Sequence, residues 1–283
     1  MIAASETTHS RLTGWQGDRD YFRFLEYDSF DPEPVVDVLR GKVAGVIFRG
    51  IVAGGTRREL IGRFWHSPAR KPWEGIGYSL GSFHYYKSTK TYLDESEDVA
   101  EAVDAVLNVP DEPSRWFRER LCHRFAEDGI AFRLAEKDGR RAGEAFIVHW
   151  NATDRYALKP HEDMSECREP GQADFEIQGT TNYAPCAVNI CLENGDGGRL
   201  IYWNIIPDDA SKTRLGVYYS GSSYPTETLI GIEAIWLKVQ PGDIYVFNGS
   251  HVHGIEATTQ TGKRTTSLFR LGFVDDQTVV TWT

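Results

Sequence analysis

The amino-acid sequence predicts an α+β fold with a mainly β core and with flanking helices from the N-terminal half. In the first half of the chain, apolar residues recur at the spacing of amphipathic helices. From about Gly143 onward, short alternating or apolar runs are broken by Gly, Asn, Asp and Pro. This second pattern is typical of antiparallel sheets and not of alternating strand and helix units.

The front half contains most of the predicted helices. Residues 1–20 are polar, so we expect a loose N-terminus there, followed by a helix-rich support over 21–142. The predicted elements are a helix over 34–40, a strand over 43–48, and helices over 56–65, 99–107 and 113–125.

The back half, residues 143–283, is predicted to be the β core. The predicted strands cover 145–150, 187–192, 200–206, 235–239, 244–247 and 265–273. The run from Glu193 to Gly198 (ENGDGG) predicts a hairpin turn, and residues 240–243 predict a second tight turn. The long segment over about 207–232, rich in Ser, Gly, Tyr and Thr, is typical of a lid or binding loop. We expect residues 1–283 to form one domain.

Composition narrows the range of functions. A net charge of -10 argues against partners such as nucleic acid and anionic membranes, which are recognised through excess Lys and Arg. We find no apolar stretch long enough for a membrane span and no secretion signal, so we expect a cytoplasmic protein, monomeric or homodimeric, acting on a small-molecule substrate. The four cysteines lack CxxC spacing, which favours reduced thiols over disulfides or zinc.

The most informative motif is His161-Glu162-Asp163, followed 92 residues after His161 by His253. Two histidines and one carboxylate can hold Fe(II) on one face and leave positions open for a co-substrate and oxygen. His161 and Asp163 are two residues apart, so at the end of an extended strand their side chains point to the same side. We expect Glu162, between them, to face solvent and His253 to lie at the end of the apolar strand over 244–247.

The order of these features resembles that of the iron(II)/2-oxoglutarate-dependent dioxygenases over most of residues 43–283. The stretches that carry the resemblance are GGRLIYWN at 197–204, PGDIYVFNG at 241–249 and VTW at 280–282. Within that superfamily, the chain is most similar to small freestanding enzymes that modify soluble metabolites, including the hapalindole-type alkaloid halogenase and N-substituted amino-acid hydroxylases. The resemblance implies a double-stranded β-helix, which is a cupin-like jelly roll, with Fe(II), 2-oxoglutarate and O2.

The resemblance implies that His161, Asp163 and His253 are the catalytic metal ligands. His251 is an alternative to His253, because both lie in the same short stretch with the same strand parity. We favour His253 because family members carry an apolar residue two positions after this histidine, and Ile255 supplies it.

The far carboxylate of 2-oxoglutarate needs a buried cation, and the planar fork of Arg suits it. Arg264 follows His253 by eleven residues, which matches the family spacing, and Thr266 on the same strand face can donate its hydroxyl. Arg270 shares this parity and is the alternative anchor; otherwise it is a charge on the substrate side or facing solvent at the end of the sheet.

These assignments imply hydroxylation of an unactivated C–H bond in a small metabolite, such as an amino-acid derivative, a nucleoside or an alkaloid, with release of succinate and CO2. Related halogenases have a small residue in place of the carboxylate, so Asp163 argues against halogenation. Desaturation or ring closure is an alternative outcome of the same chemistry. Alternatives of another class are a non-oxidative cupin-like metal-binding protein and a zinc hydrolase or isomerase.

Aromatic residues flank the predicted site in two places. The stretch over 78–87 (YSLGSFHYYK) either borders the substrate pocket or packs between helix and sheet. His149 and Trp150, on the strand before the motif, are predicted to belong to the core and not to bind a ligand.

Overall fold

The computed structural model describes residues 11–151, 155–259 and 263–283. Among these residues, the α-helices are α1 (Glu33–Leu39), α2 (Gly54–His66), α3 (Thr89–Leu107), α4 (Pro113–Glu127) and α5 (Asp209–Arg214). Short 3-10 helices cover Glu166–Arg168, Pro170–Gln172, Glu176–Asn182 and Thr226–Leu229.

The strands of the first half are β1 (Gly14–Trp15), β2 (Phe24–Tyr27), β3 (Gly45–Phe48), β4 (Lys71–Trp73), β5 (Gly77–Leu80), β6 (Ala131–Leu134), β7 (Glu136–Lys137) and β8 (Arg140–Arg141). Those of the second half are β9 (Phe146–Trp150), β10 (Tyr156–His161), β11 (Cys186–Glu193), β12 (Leu200–Trp203), β13 (Ile206–Pro207), β14 (Ala234–Leu237), β15 (Ile244–Asn248), β16 (His253–Glu256), β17 (Arg264–Asp275) and β18 (Thr278–Trp282).

Two sheets carry the architecture of the described residues. The large sheet has ten strands in the order β2-β3-β15-β11-β17-β9-β5-β4, and β18 adds to β17 and β6 to β18. The small sheet has the order β10-β16-β12-β14. Most pairs are antiparallel, as predicted; β2 with β3 and β6 with β18 are parallel.

The two faces of the large sheet pack against different partners. On β11, Val188 and Ile190 belong to the cluster shared with helices α1 to α4, whereas Ala187 and Cys191 belong to the cluster shared with the small sheet. This split follows from the two-residue period of a strand, which sends alternate side chains to opposite faces. The first-half helices therefore cover one face, and the other face turns toward the small sheet.

The helix predictions over 34–40, 56–65 and 113–125 are confirmed by α1, α2 and α4. The helix predicted over 99–107 is the second half of α3, which begins ten residues earlier. Ser88 caps that start, because its hydroxyl accepts a hydrogen bond of 3.1 Å from the backbone N–H of Thr91. The first half of α3 is largely polar, and the few apolar residues there gave too weak a period to detect.

Most strand predictions of the back half are confirmed to within two residues, by β9, β11, β14, β15 and β17. The strand predicted over 200–206 is two strands, β12 and β13, which belong to different sheets. The tight turn over 240–243 is confirmed by a hydrogen bond of 3.0 Å from Asp243 N–H to the carbonyl of Gln240.

Two further predictions about the fold are wrong. The turn from Glu193 to Gly198 is not a hairpin, because it joins β11 of the large sheet to β12 of the small sheet, and these strands do not pair. Turn residues indicate a reversal but not which sheet receives the next strand. The N-terminus is not loose over its described part, because Leu12 is buried and β1 pairs with β13. Residues 1–10 of that prediction lie outside the described residues.

The segment over 207–232 is packed and not open loop. It contains α5 and a 3-10 turn, and Val217, Tyr224 and Leu229 join a buried cluster with the small sheet. Among the described residues, no helix has the length and apolarity needed to cross a membrane.

Candidate metal and co-substrate site

A cavity of about 380 Å³ lies between the two sheets. Much of its wall is aromatic, including Trp73, Phe83, Phe146, Trp150, Tyr245 and Phe247. Polar side chains in the wall include His161, Glu166, Asn189, Ser222, His253, Arg264, Thr266 and Arg270. An apolar enclosure with a few convergent polar groups is the usual form of a small-molecule site.

His161 and His253 lie in the wall of this cavity, and Asp163 lies close to both. His161 ends β10 and His253 begins β16, and the antiparallel pairing of these strands sets the two residues opposite each other. The prediction that His253 ends the strand over 244–247 is therefore wrong, since a turn carries the chain from that strand into the small sheet. One ligand atom from each of the three residues lies within 4.8 Å of the others, and all three are buried.

Both imidazoles are held in the form that binds a metal. Nδ1 of His161 donates to the carbonyl of Lys159 at 2.8 Å, and Nδ1 of His253 donates to the carbonyl of His251 at 2.9 Å. A carbonyl can only accept, so the proton is on Nδ1 and the lone pair is on Nε2. Burial lowers the pKa of both rings, to about 3 for His253, so they stay neutral.

The Asp163 carboxylate completes the group. Its Oδ1 accepts a hydrogen bond of 2.8 Å from Arg270, while its buried Oδ2 has no partner among the described residues and lies 3.8 Å from His253 Nε2. Burial alone would raise the pKa of Asp163, but the positive charge of Arg270 lowers it below its usual value. A buried unpaired carboxylate oxygen facing imidazole lone pairs fits a bound cation.

Gly249 leaves the room that Asp163 needs. A Cβ at this position would lie 2.4 Å from Asp163 Oδ2, so any side chain would displace the carboxylate. The Asp163 N–H also donates to the Gly249 carbonyl at 2.8 Å. The turn after β15 therefore fixes Asp163 through both its backbone and its side chain.

The prediction that Glu162 faces solvent is wrong, because its exposed fraction is 0%. Its Oε2 accepts from the backbone N–H groups of Met164 and Ser165, at 2.7 and 3.0 Å, which fixes the turn after the two site residues. Its Oε1 lies 3.1 Å from Nζ of Lys212 in α5 and accepts from Tyr224 at 3.4 Å. The packed segment over 207–232 thus covers the side of the motif that we expected to be open.

Arg264 and Thr266 lie in the wall, as their shared parity on β17 predicts. Arg264 is 1% exposed and donates to the Gly198 carbonyl at 2.7 Å and to the Tyr245 hydroxyl at 2.9 Å. Its Nε and the Thr266 hydroxyl are buried without partners among the described residues. These unpaired donors on one wall suit an anionic ligand.

Arg270 lies on the same face of β17 but at the other end of the cavity wall. It is 7% exposed, so the interpretation of this residue as a solvent-facing charge is wrong. Besides its bond to Asp163, it donates to the hydroxyl of Tyr85. Arg264 and Arg270 are therefore two separate buried cations of one cavity.

His251 is buried but does not join the group. Its Nδ1 donates to the carbonyl of Trp203 at 3.0 Å, and its Nε2 lies 3.2 Å from the hydroxyl of Tyr21. Its ring packs among Tyr21, Phe22 and Tyr202. The structure thus brings His253, and not His251, together with His161 and Asp163.

The predictions for the other aromatic residues are confirmed in part. Phe83 and Tyr85 line the cavity, as the pocket interpretation of residues 78–87 expects. His149 packs against Trp65 outside the wall, as predicted. Trp150 is buried as predicted, yet it also lines the cavity.

Sequence reasoning missed Glu166, which is 5% exposed and lines the cavity. Its Oε2 has no partner among the described residues, and burial raises its pKa well above the usual range. An acid in a polar loop gives no sign of its burial, so no signal in the sequence marked this residue.

The chain is 30% identical over 208 residues to the L-isoleucine 3(1)-dioxygenase of Pantoea ananatis (strain AJ13355), covering 72% of this chain and 69% of that protein. Its fold is similar to crystal structures of an N-substituted L-amino acid dioxygenase from Burkholderia ambifaria AMMD. The comparison with the complex of that enzyme with alpha-KG gives a TM-score of 0.54, and the comparison with another crystal structure of the same enzyme gives a TM-score of 0.50. Both are 14% identical to this chain, with coverage of 89% and 88% of this chain and 90% of each neighbour. No family model matches the chain.

We expect Lys212→Met to lower the free energy of unfolding by about 3–5 kcal/mol, because it leaves the Glu162 carboxylate buried without its cation. Chemical denaturation measures this loss. Lys90→Met is the matched control: Lys90 also pairs with an acid, Asp94 at 2.6 Å, but its side chain is 80% exposed, so its removal leaves stability nearly unchanged. Equal stability of Lys212→Met and the wild type would contradict the role given to this pair.

We also expect His251 to make stability depend on pH. Burial lowers the pKa of His251 to about 4, whereas an unfolded imidazole titrates near about 6.5. As pH falls from about 6.5 to about 4, the unfolded state binds a proton that the folded state does not, so the free energy of unfolding falls. In His251→Gln, the slope of unfolding free energy against pH, between about pH 6 and 5, is shallower by about 1.4 kcal/mol per pH unit.

Denaturation curves at several pH values measure that slope. His123→Gln replaces an exposed imidazole, with 80% of the side chain accessible, and controls for the substitution itself. A slope in His251→Gln equal to that of the wild type would mean that His251 takes up protons equally in both states.

Proposed function

Because this chain belongs to the iron(II)/2-oxoglutarate-dependent dioxygenase superfamily, we propose that it hydroxylates an unactivated C–H bond of a small metabolite and releases succinate and CO2. Family membership sets aside the non-oxidative cupin-like protein and the zinc hydrolase. The observation that carries the proposal is the buried group of His161, Asp163 and His253, with Arg264 in the same cavity.

Iron(II) would be held by His161, Asp163 and His253. The lone pairs of both Nε2 atoms and the unpaired Asp163 Oδ2 support this assignment, since these are the donors of a two-histidine, one-carboxylate site. Bound iron(II), with 2-oxoglutarate and O2, supplies the oxidising chemistry, in which the co-substrate is decarboxylated and oxygen is transferred to the substrate. The retained Asp163 supports hydroxylation over halogenation.

The far carboxylate of 2-oxoglutarate would be bound by Arg264 and Thr266. Arg264 is already oriented by Gly198 and Tyr245, so little side-chain freedom is lost when it binds. Its unpaired Nε and the Thr266 hydroxyl supply donors for carboxylate oxygens. The surrounding aromatic wall excludes water, which strengthens these interactions.

The substrate is a small molecule held against the aromatic wall. The similarity to the L-isoleucine 3(1)-dioxygenase of Pantoea ananatis favours an amino acid over a nucleoside or an alkaloid. We infer that hydroxylation is the outcome and not desaturation or ring closure. We also infer that the two facing sheets are the halves of a double-stranded β-helix in a single domain over residues 1–283, with the segment over 207–232 as its lid. The pairing of the His161 and His253 strands in the small sheet supports this architecture.

Anaerobic addition of iron(II) and 2-oxoglutarate to the purified protein should produce the weak visible charge-transfer absorption of an iron keto-acid chelate. We expect His161→Ala and His253→Ala to abolish this absorption, because each removes a ligand nitrogen. His251→Gln is the matched control and retains it. Absorption that survives in His253→Ala but disappears in His251→Gln would reverse the assignment of the second histidine.

We expect Arg264→Gln to raise the KM for 2-oxoglutarate by about 10- to 100-fold, because a charge-assisted hydrogen bond contributes about 1.5–3 kcal/mol. Steady-state succinate release measures this change, and iron(II) binding stays as in the wild type. Arg199→Gln, which removes a partly exposed guanidinium paired with Glu256, leaves the KM unchanged. If Arg270→Gln raised this KM and Arg264→Gln did not, the anchor would be Arg270.

A further inference from the structure

Two buried side chains in the cavity wall have polar atoms to which the proposed metal and co-substrate sites assign no ligand. Arg270 is 7% exposed and Glu166 is 5% exposed, and both line the wall. Each has a buried atom without a hydrogen-bond partner among the described residues, Nε in Arg270 and Oε2 in Glu166. Buried polar atoms without partners are costly, so an unpaired guanidinium N–H and an unpaired carboxyl oxygen in one cavity suggest a ligand that offers both an acceptor and a donor.

Tyr85 fixes the arrangement of these two groups. Its hydroxyl accepts a hydrogen bond from Arg270 Nη2, and the same phenol interacts with Glu166. Arg270 also donates to Asp163 Oδ1 at 2.8 Å, which sets its guanidinium beside the proposed iron ligands. A ligand bound to Arg270 and Glu166 would therefore have its head group close to the metal group.

Arg270 is distinct from the proposed co-substrate anchor. It follows Arg264 by six residues on the same face of β17, which corresponds to roughly 20 Å of extended strand. With Arg264 assigned to the far carboxylate of 2-oxoglutarate, Arg270 is available for a second carboxylate. The planar guanidinium suits this carboxylate because its N–H donors match the positions of the two carboxylate oxygens.

We propose that Arg270 and Glu166 form the head-group subsite for a free α-amino acid with an apolar side chain, with Arg270 binding the carboxylate and Glu166 the ammonium group. This inference rests on the proposed function and names its substrate class. The aromatic wall would hold the apolar side chain, whose C–H bonds are unactivated.

Glu166 separates a free amino acid from an N-substituted one. An ammonium group has three N–H donors and a positive charge, which favours the ionised form of a buried carboxyl group and binds to it. An N-acyl nitrogen has one N–H and no charge, and its acyl carbonyl would bring another acceptor toward Glu166. A cavity of about 380 Å³ that also accepts 2-oxoglutarate leaves little room for a large acyl group.

Calorimetric titration tests the inference without turnover, on protein loaded with nickel(II) and 2-oxoglutarate. The probes are L-isoleucine, N-acetyl-L-isoleucine, 3-methylpentanoic acid, which lacks the amino group, and 2-methylbutylamine, which lacks the carboxylate. We expect L-isoleucine to bind at least about 10-fold more tightly than each of the other three, since each lacks one charge-assisted contact. This comparison uses the wild type and needs no substitution.

The matched variant is Glu166→Gln, which keeps the shape of the side chain and prevents it from ionising. We expect it to weaken L-isoleucine binding by about 10-fold or more and to change the binding of 3-methylpentanoic acid by less than about 3-fold. Glu74→Gln, which removes an exposed acid between two wall residues, changes neither. Thermal melting checks that both variants are folded.

The possible failures are distinguishable. Tighter binding of N-acetyl-L-isoleucine than of L-isoleucine, or equal losses for L-isoleucine and 3-methylpentanoic acid in Glu166→Gln, would overturn the inference and leave the proposed function standing. The same holds if nickel(II) and 2-oxoglutarate bind but none of the four probes does. Failure of the wild type to bind 2-oxoglutarate with the metal would overturn both proposals.

Discussion

Three buried atoms with unshared electron pairs meet between the sheets, and the surrounding structure keeps them together. The Nε2 atoms of His161 and His253 and the Asp163 carboxylate do not attract one another strongly without a cation, so the chain must hold them. Strand pairing sets the two histidines opposite each other, and backbone carbonyls fix their rings. Glu162 fixes the turn that presents Asp163, and Lys212 neutralises Glu162.

The sequence predicted the parts of the site that depend on local spacing. His161 and Asp163 are two residues apart, as are Arg264 and Thr266, so the two-residue period of a strand predicts that the members of each pair share a face. By the same period, Glu162 points to the opposite side of the strand. What it meets there is Lys212, some fifty residues later, which no local pattern encodes. The same limit explains the failed hairpin, since a run of glycines marks a reversal and tertiary packing chooses the receiving sheet.

Several of the buried polar atoms without partners line a single cavity. They include Nε of Arg264, the Thr266 hydroxyl, Nε of Arg270 and Oε2 of Glu166. Such atoms cost stability, so a protein that keeps them together gives up stability where it binds ligands. The well-packed clusters on the two faces of the large sheet supply the compensating stability.

Strand β17 carries both guanidiniums of the cavity on one face, with Thr266 and Leu268 between them. With the proposed roles, one strand positions both the co-substrate and the substrate, each through its own arginine. Because side chains alternate along a strand, a shift of one residue in the pairing of β17 would turn both arginines away from the cavity. A change in the register of β17 would therefore affect the binding of both ligands. Selectivity for the substrate alone would have to change through residues on the opposite wall of the cavity.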